Sequence, residues 1–167
     1  MRLYKFLRRD GAGFFSGYEW PLPNGAPGAW VDAEGVVPCR IGVHACRTSD
    51  LPYWVGPVLY EVELDGEVVV HDLKLVAPRG RLLRRVDAWN DETRDEYSHW
   101  CIGRARELAA ASPVPVDDWA PDAAAVAMGP ALMGFIAARI AEQSGGVEAY
   151  EAERARQADW LVERLGL

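Results

Sequence analysis

Histidine side chains are the first to consider for chemistry, because imidazole is the usual general acid or base near neutral pH. The chain contains three of them, His44, His71 and His99. His44 stands near the end of a predicted strand, where a side chain can emerge into a cleft. We therefore take His44 as the candidate site residue, with a hydrogen-bonded core or surface role as the alternative, and interpret His71 and His99 as structural or solvated.

Cysteine chemistry is the next candidate, because Cys46 lies two residues after His44. A Cys46–His44 nucleophile pair would need a third group to orient the base, and the sequence shows none, so we interpret Cys46 as a small buried thiol. Neither Cys39 nor a paired ligand motif completes a zinc set with these two residues, and no metal is expected. The odd count of three cysteines without CxxC predicts reduced thiols.

Two further groups of side chains could bind a ligand. The basic run Arg79–Arg85 could place guanidinium groups on one sheet face for phosphates, although we favour an edge strand protected by its charge. Aromatic residues near predicted loops could wall a pocket for a planar ligand, and packing of those loops onto the core explains them equally well. These aromatic residues are Trp20, Trp30, Tyr53 and Trp54.

Composition excludes several classes of protein. A chain of 167 residues with 50% hydrophobic and 26% charged residues is typical of one globular domain. A net charge of −7 disfavours general binding to nucleic acid or to anionic membranes. The first residues carry no apolar run of signal-peptide length, and no stretch approaches a membrane span, so we expect a cytoplasmic protein. The P-loop, dinucleotide-binding, GxSxG and HExxH motifs are all missing from the sequence.

The pattern along the chain predicts an α+β fold of one domain, residues 1–167, with a β-rich part at 1–88 and a helical part at 89–167. Arg2–Leu7 alternates as a first strand, and Ile41–Ala45 reads as another strand that leads into a short helical turn through Trp54. The strand-to-helix corner after Ala45 is the element that would present His44.

The remaining strands are predicted to complete a small, mainly antiparallel, twisted sheet of about five or six strands. Leu59–Leu64 alternates at period two, Asp65-Gly66 is a strong hairpin signal, and Glu67–His71 is predicted to pair back. A further strand is predicted from Leu73 to Ala77 or from Arg81 to Val86.

About three helices are predicted to follow. The first starts at Asn90 and stops at Ser112, and the second covers Ala120–Gln143, where Pro130 would kink or divide it. The third covers Val147–Leu165 after a Gly-Gly break. In this last helix we expect the charged side chains, including Glu153 and Arg154, to face solvent.

The β-rich part resembles a known group of proteins. Ile41-Gly42-Val43-His44-Ala45-Cys46, then Tyr60–Glu67 and Lys74-Leu75-Val76-Ala77, are similar to an uncharacterised domain of phage and bacterial proteins with a Gly-Phe-His-x-Cys motif. More remotely, the same order looks like the ADP-ribosyltransferase and poly-ADP-ribose polymerase pattern. The resemblance covers about residues 1–86.

The ADP-ribosyltransferase resemblance implies a binding site for NAD. It places His44 and Tyr53 against the nicotinamide, with Trp54 beside them, and Lys5 on ribose or phosphate. In the enzymatic version His44, Tyr53 and a glutamate are the catalytic residues, the glutamate stabilising the oxocarbenium charge. We take Glu61 as that glutamate, and neighbouring Glu63 and Glu67 stay open. The first strand offers Leu3-Tyr4-Lys5-Phe6 where those transferases carry His or Arg followed by Gly.

Two other functions stay open at this point. The apolar segment Ala120–Gln143 could mediate homodimerisation or partner binding in a protein without enzymatic activity. Alternatively, the Trp-rich loops could form the pocket of a small-molecule-modifying enzyme in a biosynthetic pathway. Under each of these hypotheses we expect no membrane association, and the net charge of −7 disfavours nucleic acid as a partner.

Overall fold

The structure is a computed structural model that describes residues 2–112 and 129–167. It confirms the α+β class, with antiparallel strands in the first half and helices in the second. The chain divides into two compact units, residues 1–89 and 90–167, which are described in turn. We call them the β-rich unit and the helical unit; the single-domain organisation stays a prediction.

The strands of the β-rich unit form two antiparallel sheets. The first has four strands in the order β1-β4-β7-β2, and the second has three in the order β3-β6-β5. A 3₁₀ helix at Thr48–Tyr53 follows β3. The strands are β1 Leu3–Leu7, β2 Val31–Asp32, β3 Val43–Ala45, β4 Val58–Asp65, β5 Val69–His71, β6 Lys74–Ala77 and β7 Arg79–Arg85.

Alternation along the strands explains the core of this unit, because successive side chains of a strand point to opposite faces. In β1, Leu3 and Leu7 lie in one buried cluster, together with Tyr60 and Val62 of β4. The second sheet contributes Val43, Ala45 and Leu75 to the same cluster. The two sheets therefore share one apolar core, and Lys5 alternates with Leu3 and Leu7 on the core-facing side of β1.

The predicted hairpin between Leu59–Leu64 and Glu67–His71 was wrong. β4 pairs with β1 on one edge and with β7 on the other, so no edge of β4 is left for β5. After Gly66, which has a φ of 87°, the chain instead enters the second sheet, where β5 pairs with β6. The chain does bend at Gly66, but this bend joins two sheets.

The region after β5 also differs from the prediction. Both proposed strands exist, as β6 and β7, and only Pro78 separates them. The edge-strand interpretation of Arg79–Arg85 was wrong, since β7 lies between β4 and β2. Its arginines are matched by acidic side chains of the neighbouring strands, Arg84 with Glu61 and Arg81 with Glu63, each at 2.7 Å. Cross-strand ion pairs of this kind account for the alternating charges on both strands.

The helical unit begins where the sequence predicts. Helix α1 covers Asp91–Ala111, and the Asn90 side chain accepts a hydrogen bond from the Thr93 backbone N–H, as an N-cap does. Helix α2 covers Pro130–Leu165 and is interrupted at Gly146, whose φ of 72° and ψ of −166° are not helical. The predicted break before Val147 is confirmed. Pro130 lies in the first turn of α2 and does not kink it, while the part of the predicted second helix before residue 129 lies outside the described residues.

The expectation that Glu153 and Arg154 face solvent was wrong, because both side chains are buried. Glu153 accepts a hydrogen bond from Arg104 of α1, with 2.9 Å between Nη2 and Oε2. Arg154 donates to Gln157 Oε1 at 3.0 Å, and Gln157 donates in turn to the carbonyl oxygen of Gly134 at 2.9 Å. These side chains are polar residues at interior positions, and each has a partner there, as buried polar groups require.

Candidate functional site

The first strand and the predicted strand-to-helix corner lie side by side. Tyr4 of β1 and Cys46, just after β3, exchange two backbone hydrogen bonds: Tyr4 N–H donates to Cys46 O at 2.9 Å, and Cys46 N–H donates to Tyr4 O at 2.8 Å. This bridge joins segments about forty residues apart in sequence. It therefore brings Lys5 next to His44, two residues that the sequence analysis assigned to one site.

Lys5 carries a positive charge in a mostly apolar setting. Its Nζ donates to the backbone carbonyl oxygen of His44 at 2.8 Å and lies 4.9 Å from the centre of the Trp20 ring. Among the described residues, no carboxylate forms an ion pair with it. Burial lowers the pKa of the Lys5 ammonium to about 8, and the nearby Cys46 sulfur offsets this only in part.

His44 occupies the middle of β3, between two buried residues, and its own side chain is partly buried. Its Nε2 atom is shielded from solvent and has no hydrogen-bond partner among the described residues. Burial lowers the pKa of the imidazole, and the positive charges of Lys5 and Lys74 lower it further. The ring is therefore neutral at pH 7, a state that suits stacking and hydrogen bonding with a ligand.

The 3₁₀ helix positions the two remaining aromatic candidates. Asp50 accepts hydrogen bonds from the backbone N–H of Arg47 at 3.1 Å and from its Nε at 2.6 Å, which ties down the start of the helix. Tyr53 ends the helix and is partly buried. Trp54 follows, and its indole N–H donates to the carbonyl oxygen of Leu73 at 2.8 Å.

Lys74 links this helix to His44. Its Nζ lies 5.2 Å from the centre of the Trp54 ring, and its charge also acts on the His44 imidazole. Lys5 thus reaches the His44 backbone carbonyl from the core-facing side, while Lys74 connects the His44 ring to Trp54; we call this region the His44 corner. Sequence reasoning missed Lys74 as a site residue. The position of Lys74, directly after the two-residue turn that follows His71, is the sequence feature that could have identified it.

Glu61 is not part of the His44 corner. In the β1–β4 ladder, Glu61 lies opposite Tyr4 and Lys5 lies opposite Tyr60, so Glu61 and Lys5 point to opposite faces of the sheet. The Glu61 carboxylate is paired with Arg84 at 2.7 Å and lies 3.8 Å from Arg2. This arrangement makes Glu61 a member of the cross-strand ion pairs between β4 and β7.

Cys46 is buried, as the sequence interpretation of a small buried thiol predicted. Burial raises the pKa of its thiol to about 12, and the charge of Asp50 acts in the same direction. The thiol therefore stays protonated at neutral pH, and a protonated thiol is a poor nucleophile. The His44 corner contains lysine side chains, a neutral imidazole and an indole, groups that interact with anions and with planar rings.

Comparison with known proteins found no matching family model, and no curated protein or solved structure with significant similarity. Within residues 2–112 and 129–167, the structure contains no cluster of three histidine, cysteine or acidic side chains arranged to hold a metal ion. Over the same ranges, no helix is both long and apolar enough to cross a bilayer.

Proposed function

We propose that the β-rich unit binds a nucleotide-type small molecule such as NAD at the His44 corner. The observation that carries this proposal is the Lys5 ammonium, whose partners within residues 2–112 and 129–167 are a backbone carbonyl and an indole ring. A phosphate group of the ligand supplies the counter-charge that the described residues do not provide, and a partly buried ion pair is stronger than an exposed one.

The aromatic residues of the corner suit the other part of such a ligand. The neutral His44 ring and Trp54 offer flat surfaces for a nicotinamide or adenine ring, with Tyr53 at the end of the 3₁₀ helix. The β-rich unit also carries as many basic as acidic side chains, so it does not repel an anion as a whole.

The position of Glu61 favours binding over ADP-ribosyl transfer. An oxocarbenium ion needs a carboxylate close to the reacting carbon, and Glu61 lies on the other face of the sheet from Lys5, in an ion pair with Arg84. We therefore propose a ligand-binding protein that resembles the ADP-ribosyltransferases but does not catalyse transfer. In this protein His44, Tyr53 and Lys5 hold the ligand.

The test is calorimetric titration of the protein with NAD, ADP-ribose and nicotinamide. We expect NAD and ADP-ribose to bind to the native protein, and Lys5→Met to weaken both by at least about tenfold, because the charge-assisted contact with phosphate is lost. His44→Ala is expected to weaken NAD more than ADP-ribose, since only NAD presents the nicotinamide ring.

Arg84→Met is the matched control, because Arg84 is a cation on the opposite face of the same sheet. Its substitution should leave the affinity for both ligands unchanged. No binding of NAD or ADP-ribose to the native protein would contradict the proposal, as would equal losses in Lys5→Met and Arg84→Met.

A further inference from the structure

Among the described strands, β5 forms a free edge of the second sheet. It pairs with β6 on one side, and it is the last strand in the order β3-β6-β5. Two valines at this edge are exposed although they are apolar, Val68 by 39% and Val70 by 64%. Unpaired edges with exposed apolar side chains are templates for pairing with another strand.

The backbone of β5 is oriented for such pairing. A two-residue turn, Asp72-Leu73, joins β5 to β6 and sets His71 opposite Lys74. Residues that flank a two-residue turn form a hydrogen-bonded pair, and pairs along an antiparallel ladder alternate between bonded and non-bonded. Val70 therefore directs its backbone N–H and C=O to the free edge, and by the same alternation Val68 does so too.

The sequence of this edge is complementary to itself. Residues 67–71 read Glu-Val-Val-Val-His, which places an acidic side chain at one end and an imidazole at the other. If two such strands run antiparallel with Val69 opposite Val69, then Val68 faces Val70 and Glu67 faces His71 at both ends. The register that places the Glu67 carboxylate opposite the His71 imidazole is also the one in which Val68 and Val70 form hydrogen-bonded pairs.

We propose that two copies of this chain associate through their β5 edges, antiparallel about a two-fold axis at Val69, so that their three-stranded sheets form one continuous sheet. The dimer is a closed assembly, because each copy has one β5 edge and the pairing occupies both. It covers the exposed Val70 of each copy with Val68 of the other. His71 also has Asp72 of its own chain at 3.5 Å, so the carboxylate of Glu67 competes with that neighbour.

A strand of three residues gives a small interface, and small interfaces are weak. We therefore expect a monomer–dimer equilibrium that sedimentation velocity resolves between about 10 µM and 1 mM. Val70→Lys should raise the dissociation constant at least about tenfold, because the substitution occurs twice in a two-fold interface and charges block edge pairing. Val147→Lys, a change at an exposed valine of the helical unit, is the matched control and should leave the dimer unchanged.

Charge reversal tests the register. Glu67→Lys and His71→Glu should each weaken the dimer, since each places like or unpaired groups opposite one another, and the double variant should restore it. Circular dichroism of each variant checks that the fold is retained. A native protein that stays monomeric at all concentrations would overturn the proposal, as would a dimer that survives Val70→Lys. Failure of the double variant to restore association would overturn the proposed register. None of these outcomes depends on whether the His44 corner binds NAD.

Discussion

Replacing Lys5 with methionine is expected to raise the free energy of unfolding of the β-rich unit at pH 7 by about 2–3 kcal/mol. Burial holds the pKa of Lys5 at about 8 in the folded protein, against an ordinary value of 10.5, which is worth about 3.5 kcal/mol at about 1.4 kcal/mol per pKa unit. The gain is smaller than this because methionine cannot make the hydrogen bond to the His44 carbonyl oxygen. Methionine keeps the apolar chain in contact with the core and removes the charge that the fold fails to compensate.

The same substitution is expected to change how stability depends on pH. Below pH 8 both the folded and the unfolded chain hold the Lys5 proton, so the full penalty is present. Between pH 8 and 10.5 the unfolded chain binds this proton more tightly, and the Lys5 contribution therefore makes stability rise with pH until the penalty is gone. The Lys5→Met variant lacks this rise.

Urea denaturation at pH values from 7 to 10 measures the effect. Cys46 acts in the opposite direction over part of this range, because its thiol has a raised pKa of about 12 and the folded protein resists its ionisation. The informative quantity is therefore the difference between native protein and variant at each pH. Lys74→Met serves as the lysine control; a Lys5→Met protein less stable than native at pH 7 would contradict the argument.

A lysine that destabilises the fold from a core-facing position indicates a functional role. Residues that lower stability are kept where they serve binding or chemistry, and perturbed pKa values concentrate at such places. The loss of ligand binding and the gain of stability in one variant, Lys5→Met, would separate a functional role from a purely structural one.

Replacing Glu153 with alanine is expected to lower the free energy of unfolding of the helical unit by about 2–3 kcal/mol. The Glu153 side chain is 2% exposed and pairs with Arg104, whose side chain is 18% exposed. Removing one partner of a buried ion pair leaves the other charge without compensation, at a cost of roughly 3–5 kcal/mol for a fully buried pair. The cost is smaller here because Arg104 also pairs with Glu107.

Glu142→Ala is the matched control for Glu153→Ala. Glu142 pairs with Arg139 on the same helix, and the Arg139 side chain is half exposed, so this loss should stay below about 1 kcal/mol. Chemical denaturation followed by far-UV circular dichroism compares the two variants. Equal, small losses of stability would show that the Glu153–Arg104 pair does not hold the two helices together.

Local signals in the sequence were sufficient where structure depends on neighbouring residues. The Asn90 cap, the break at Gly146 and the strand Val43–Ala45 all follow from propensity and turn chemistry within a few positions. The pairing of β4 did not follow, because β1 and β7 compete for its edges from distant parts of the chain. Hydrophobic alternation identifies a strand but does not identify its partners.

Long-range contacts also explain the other differences. From the sequence alone, Glu153 is predicted to face solvent, because its partner Arg104 lies on another helix. In the candidate site, the resemblance gave the order of Lys5, His44 and Glu61 along the chain, but not the sheet face of each. The contact between Lys5 and His44 depends on the Tyr4–Cys46 bridge, and the separation of Glu61 depends on its register with Tyr4.

The three cysteines differ in solvent exposure, which allows site-selective labelling of the native chain. Cys39 is exposed, whereas Cys46 and Cys101 are buried and burial raises the pKa of each thiol to about 12. A maleimide dye should therefore attach at Cys39 alone without any engineered mutation. A fluorophore there would report on the segment that leads into β3.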